Sequence, residues 1–356
     1  MADKTGDRET AQQISEVFVG SAGPSRSLKP LVTVAGIEAA SVPAFIAGQE
    51  LADLAESDDR IVVLSADLAG AGRVIDFAMR HPSRFFNLGV AEQNMVTVAA
   101  GMASTGLRPY VSTFASYASL LCCEQIRTDI AYTGMPVRIL AHHSGMSLGF
   151  YGTSHHALED ISAMRSIADL IVVSAADANQ LRAIVRASLD VSDPIYIRMG
   201  RGRDPEVYAE VPSNFQFGRA CRLTEGGDLT MIATGSEVRP CLDAAAQLRE
   251  EGVEVRVVDM HTISPIDVDE VVAAARETAA VLTVEEHNVT GGLGSAVAEI
   301  LLESGVATRF LRAGIPDEFV LIGPPAALYA HYELDAEGVA ARARRFLARG
   351  VNESSS

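Results

Sequence analysis

Apolar and polar positions along this chain alternate between two patterns. Short, continuous, β-branched runs occur at Arg60–Ser65 (RIVVLS), Val137–Ala141, Ile171–Val173 and Pro194–Arg198 (PIYIR). Such runs predict parallel strands buried on both faces. Between them, PAFIAGQELADLAESD (after Ser41) and Asn179–Leu189 carry apolar residues at helical spacing. The most informative stretch is Phe85–Tyr117, FFNLGVAEQNMVTVAAGMASTGLRPYVSTFASY. It reads as a short apolar segment, a turn at Gly89, a helix of small residues to Gly101, a turn at Gly106 and a strand at Pro109–Phe114. The alternation resumes later in the chain. Strands are predicted at Leu229–Ala233, Val253–Val258 and Val281–Val284, with a helix closing on Gly252 and a loop at His261–Pro265. The GGLG turn at residues 291–294 opens an Ala-rich helix and is read as structural. The expected fold class is α/β, with two doubly wound, mostly parallel sheets.

Composition adds boundaries to this picture. Residues 1–35 mix Ser, Gly, Pro and charge without periodicity and read as a flexible N-terminal extension. A first domain is expected over 36–205, a polar, proline-punctuated linker over 206–217, a second domain over 218–350 and a frayed tail at 351–356. No apolar run approaches the roughly 18 residues that cross a membrane, and the polar start MADKTGDRETAQQ is unlike a signal peptide. A cytoplasmic location without membrane attachment is the expectation. Cys122, Cys123, Cys221 and Cys241 lack metal-ligand spacing and are expected to be free thiols. The net charge of −17 opposes nucleic-acid binding. Anionic substrates must then be attracted by local charge.

Two places concentrate residues fit for chemistry. Glu92 is a carboxylate beside Gly and Ala at a strand-to-helix turn, where burial is costly without a partner, although a helix-start acid also suits the macrodipole. The loop HHSGMSLGFYGTSHHALED carries His142, His143, His155 and His156. No cysteine or carboxylate accompanies them at ligand spacing, so no metal is assigned to this chain.

The strings G-V-A-E-Q-N-M and T-F-A-S-Y resemble the pyrimidine-binding domain of the transketolase family, and the similarity runs from about Ser41 to near the C-terminus. The second half resembles that family's C-terminal domain. The resemblance implies thiamine diphosphate as cofactor, with Glu92 as the acid that activates its aminopyrimidine and Phe114 and Tyr117 as the aromatic wall. It implies that Asp67 and Leu68 lie beside the cofactor, although Asp67 equally suits tying down its own loop. His143 and His155 align with histidines of the substrate channel, Tyr151 enters the substrate pocket, and Arg198 aligns with a phosphate-binding arginine. His142 and His156 have no such match.

Departures from the family pattern carry as much meaning. The G-D-G motif that holds Mg²⁺ and the diphosphate is absent; the nearest string is Gly226-Gly227-Asp228. The chain therefore resembles the C-terminal subunit of a split transketolase. Its expected partner is an N-terminal subunit carrying G-D-G and the Mg²⁺ site, in an α2β2 heterotetramer. The implied reaction transfers a two-carbon ketol unit from a ketose to an aldehyde. Tyr151 replaces an aspartate that contacts a sugar hydroxyl, and Ala71 replaces a phosphate-contacting serine. Each such polar contact is worth about 1.5–3 kcal/mol when charged, so an unusual donor or acceptor is expected. Alternatives are the β subunit of a 2-oxo acid dehydrogenase or related thiamine-dependent synthase, and a non-catalytic scaffold subunit.

Overall fold

A computed structural model of the chain describes residues 43–201 and 204–353. The extension expected at 1–35 lies outside the described residues. The first half runs α1 (Pro43–Leu54), β1 (Ile61–Ser65), α2 (Ile75–Arg80), β2 (Phe85–Asn87), α3 (Glu92–Ser104), β3 (Arg108–Phe114), β4 (Arg138–His142), α4 (Asp160–Arg165), β5 (Ile171–Ser174), α5 (Ala178–Ala187) and β6 (Ile195–Arg198). The second half runs β7 (Cys221–Thr224), β8 (Leu229–Ala233), α6 (Val238–Glu250), β9 (Val255–Asp259), β10 (Thr262–Ser264), α7 (Val268–Glu277), β11 (Ala280–Asn288), α8 (Leu293–Glu303), β12 (Arg309–Ile315), α9 (Pro325–His331) and α10 (Ala336–Glu353).

These strands form a seven-stranded sheet of order β10-β5-β6-β4-β3-β1-β2 and a five-stranded sheet of order β12-β11-β8-β9-β7. Every pairing is parallel except β10 with β5 and β7 with β9. The continuous apolar runs are explained by two-sided burial. In β1, Val62 and Leu64 enter one core, whereas Ile61 and Val63 enter the core on the opposite face. Each is worth about 1.5–3 kcal/mol of transfer free energy. The second sheet likewise has a core on each face. Met146, Leu158 and Ala176, which belong to the first sheet's loops, pack into one of them.

Two features position the candidate site. Register sets Ser65 against Ser112 and Phe114 against His142, so the C-terminal ends of β1, β3 and β4 share one edge, where open α/β sheets take ligands. After β3 the chain winds through wide π-type turns at Tyr117–Leu121 and Ile126–Ala131, a form often found at functional sites.

The structure also corrects the sequence reading. The expected loop at His261–Pro265 contains β10, which pairs antiparallel with β5. A strand from the second half thus covers an edge that would otherwise present unpaired backbone groups. β7 and β12 are additions to the expected strands, and α10 continues through Glu353, into the expected tail. Residues 206–217 contain neither helix nor strand. All four cysteines are free thiols.

Candidate functional site

Phe114 ends β3 at the centre of an aromatic cluster. Its ring meets Tyr117 edge-on at 5.4 Å, and His142, His143 and His155 each at 5.0 Å. The Tyr117 hydroxyl lies 3.2 Å from His155 Nε2, and Ser154 Oγ lies 2.9 Å from His155 Nδ1. Tyr151, 63% exposed, flanks His155 with ring centroids 4.9 Å apart. His156 is buried but makes none of these ring contacts among the described residues. The sequence pattern gives His142 no place in the site. The structure makes it an integral wall, with His142 Nδ1 only 2.6 Å from His143 Nδ1.

Electrostatics keep this cluster neutral. Burial pushes His142 down to about 3, with the charge of Arg201 adding to it. Burial, then His142, Arg201 and Arg73, push His143 down to about 2. Arg73 is itself lowered, by burial first and then by Arg201. Arg201 therefore bears on both histidines and Arg73 on His143, placing guanidinium charge beside the pair in a chain of net charge −17. Nothing in the sequence pattern marks these arginines, because they lie in separate loops.

Glu92 is the first residue of α3, and its cap position, Ala91, offers no side-chain cap. Glu92 is only 5% exposed, and among the described residues no hydrogen bond reaches its carboxylate. Its charge, after burial, helps push the Cys122 thiol up to about 12. Cys122 follows directly on the Tyr117–Leu121 turns, and Gln93 Nε2 donates to Leu121 O at 3.1 Å. Glu92 and the aromatic cluster are thus attached to the same π-type segment.

Asp67 and Leu68 follow β1 at the same edge. Asp67 adopts φ +61°, its N–H donates to Asn87 Oδ1 at 2.9 Å, and its carboxylate accepts Asn87 Nδ2 at 3.1 Å. Leu68 N–H donates to Ser65 Oγ. Of the two sequence readings, the loop tie is the one these contacts make.

Arg198 requires correction. It aligns with a phosphate-binding arginine, yet it is 0% exposed. Nε donates to Asp160 Oδ2 at 2.8 Å, Nη1 to Glu286 Oε1 at 2.9 Å, and Nη2 to the carbonyls of Ala157 and Glu286. Every nitrogen is occupied, so no face remains for a substrate phosphate. Burial works against its charge, but Asp160 and Glu286 outweigh that and raise its pKa. Tyr196, Ser144 and Tyr329 donate their hydroxyls to the same two carboxylates. Nearby, the GGLG turn is already filled from within: the N–H groups of Leu293 and Gly294 donate to Glu285 at 2.7 and 2.8 Å.

The fold and this site define an α/β protein with two sheets and an aromatic–histidine cluster at the strand ends of the first. Residues 44–205 match the transketolase pyrimidine-binding domain and residues 218–339 the transketolase C-terminal domain. The chain is 40% identical to a transketolase C-terminal section of Methanocaldococcus jannaschii, over 83% of this chain and 93% of that one. It is 39% identical to one subunit of the apulose-4-phosphate transketolase of Phocaeicola vulgatus, over 83% and 95%. A solved split-gene transketolase, described as an inactive β4 tetramer, superposes with TM-score 0.79 at 41% identity, covering 86% of this chain and 98% of that one. The chain belongs to the transketolase family.

Proposed function

We propose that this chain is the C-terminal subunit of a two-component transketolase, moving a two-carbon ketol unit from a ketose donor to an aldehyde acceptor. One observation carries the reading: Glu92, a nearly buried carboxylate with no hydrogen-bond partner among the described residues, shares a segment with the aromatic–histidine wall. A buried carboxylate left unpaired is costly, and that cost is relieved when a ligand supplies the missing donor.

Family membership implies thiamine diphosphate dependence, and these residues fit its aminopyrimidine end. When bound, the cofactor supplies the carbon nucleophile that a protein side chain lacks. Glu92 would accept a hydrogen bond from the ring and hold its proton in place. Phe114 and Tyr117 would form the apolar wall that excludes water. Asp67 and Leu68 would border the cofactor, while His143, His155 and Tyr151 would line the substrate channel. Arg73 and Arg201 favour a substrate bearing an anionic group; with Ala71 and Tyr151 in place of the family's contacts, that substrate differs from the ordinary pentose phosphates.

The Mg²⁺ and diphosphate ligands are assigned to an N-terminal partner subunit carrying G-D-G, in an α2β2 assembly, with 36–205 as the pyrimidine-binding domain and 218–350 as the second domain. Among the described residues no helix is long and apolar enough to cross a membrane; a cytoplasmic assembly is part of the proposal. The test is calorimetric titration of the chain with thiamine diphosphate and Mg²⁺. The expected result is no binding by the chain alone and binding once the partner is added. Tight binding by the chain alone would overturn the split arrangement.

A further inference from the structure

We propose that His142 is a positioning residue, whose Nδ1–H donates to His143 Nδ1 and so fixes His143 as the tautomer carrying its proton on Nε2. This rests on the reading above that His143 faces the substrate.

The backbone is arranged to make the contact. Successive side chains of a strand point to opposite faces, so neighbouring histidines at the end of β4 would ordinarily diverge. His143 instead adopts φ +62°, in the left-handed region that residues other than glycine seldom enter. The reversal brings the two rings to 4.7 Å at 68° and their Nδ1 atoms to 2.6 Å. Local strain of this kind persists where surrounding structure enforces it, and it concentrates at functional sites.

Chemistry then restricts the protons. Two neutral imidazoles each carry one N–H. A 2.6 Å Nδ1–Nδ1 separation accommodates one proton between them; two protons, or two lone pairs, would repel. The other end of His142 decides which ring supplies it. Among the described residues, His142 Nε2 is buried and without a hydrogen-bond partner, as is the Ser112 hydroxyl. A Cβ placed on Gly72 would lie 2.5 Å from Ser112 Oγ and 2.8 Å from His142 Nε2, so both atoms close on the same point. With a proton on Nε2 the two groups would hold two donors, and even if Nε2–H turned to Ser112 Oγ the Ser112 O–H would remain a buried orphan donor, the rarer and costlier defect. A bare Nε2 is an acceptor lying on the side of a rotatable hydroxyl. The proton of His142 therefore sits on Nδ1, and His143 accepts it. Burial and Arg201, joined by Arg73 at His143, keep both rings from becoming imidazolium near neutral pH. His143 is then a fixed, neutral Nε2–H donor and not a base, suited to holding an oxygen on which negative charge develops.

The test begins with ¹⁵N-histidine-labelled full-length chain, read by two-bond nitrogen–proton correlation near neutral pH. His143 is expected to show a pyridine-type Nδ1 and a pyrrole-type Nε2, with His142 the reverse. A pyrrole-type Nδ1 on His143, or an imidazolium on either ring, would overturn the assignment. In the enzyme assembled with its partner subunit, His142→Phe keeps an aromatic ring against Phe114 but removes the donor. It is expected to lower kcat by about tenfold or more at nearly unchanged KM. His142→Asn, whose amide N–H can replace Nδ1–H, is expected to recover part of that loss. Full activity in His142→Phe with loss in His142→Asn would mean that the ring only packs, and would overturn the proposal. Undiminished turnover in His143→Ala would sink the site reading, while the nitrogen spectrum judges the tautomer independently.

Discussion

Two groups of buried polar residues lie close together around the loop between β4 and α4, and they differ in one respect. Around Arg198, a buried guanidinium meets two buried carboxylates; Tyr196 and Ser144 donate to the same two oxygens it uses and Tyr329 to the other Glu286 oxygen, which leaves Asp160 Oδ1 without a partner among the described residues. Around Phe114, burial lowers the pKa of His142, His143 and His155; among the described residues Ser112 Oγ and His142 Nε2 are buried without hydrogen-bond partners, and no hydrogen bond reaches the Glu92 carboxylate. The first group is closed and spends its polarity on itself, joining β6 of one sheet to β11 of the other. The second is open, and its unmet polarity is a cost that a ligand would relieve. What separates the two groups is how far the chain itself supplies the partners.

The largest effect should come from breaking the open group at Glu92. Glu92→Gln keeps the volume and removes the charge. Turnover by the assembled enzyme is expected to fall by about 10²–10⁴-fold, the range of proton-transfer catalysis, with the unfolding midpoint unchanged or raised. Retained turnover would mean that this chain is a scaffold.

Breaking the closed group should have the opposite signature. Arg198→Met leaves Asp160 and Glu286 buried without a counter-charge, which costs about 3–5 kcal/mol. Urea denaturation of the chain should show this loss directly. A variant of full stability but weakened substrate affinity would restore Arg198 to the site.

Much of this organisation is legible in the sequence. The two-sided burial of β1, β3, β4 and β6 makes their apolar runs conspicuous, and G-V-A-E-Q-N-M marks the start of α3. β7 and β12 escape notice because they are edge strands with partly exposed faces, so CRLT and RFLRAGI show neither a clean alternation nor a continuous run. β10 has three residues and joins a sheet built by the other half of the chain, which local pattern does not encode. Arg198 misleads for a related reason. Its carboxylate partners lie 38 and 88 residues away, so a neutralised arginine and a free one look identical in sequence. His142 is equally hard to find, because its role depends on the left-handed turn at His143, a backbone feature with no residue signature.

A third, intermediate effect concerns pH. Asp259, at the end of β9, is raised from the ordinary 3.8 to about 7 by burial, against the hydrogen bonds from Tyr208 and Gln180, with Asp177 adding repulsion. Glu285 is raised from 4.5 to about 7 by burial, against the N–H groups of Gly294 and Leu293. The folded protein thus holds protons that the unfolded chain has released. Stability contributed by these groups should fall as pH rises from about 4 to 7 and level off above that. Asp259→Asn mimics the protonated acid and should flatten part of this slope in thermal melts. An unchanged slope would mean that Asp259 is already ionised in the fold.

The smallest effect decides to which group Asp67 belongs. Asn87→Ala removes the donor to Asp67 and the acceptor for the N–H groups of Asp67 and Gly89, at an expected cost of about 0.5–1.5 kcal/mol for an exposed pair. Asp67→Asn keeps an oxygen for Asn87 Nδ2 and removes only the charge, so stability should hardly move. If Asp67 also borders the cofactor, its loss of charge should change thiamine diphosphate affinity of the assembled enzyme by a few-fold, roughly 1 kcal/mol. Unchanged affinity, combined with a destabilised Asn87→Ala, would place Asp67 with Arg198: a polar residue at a strand end whose partners are already in place.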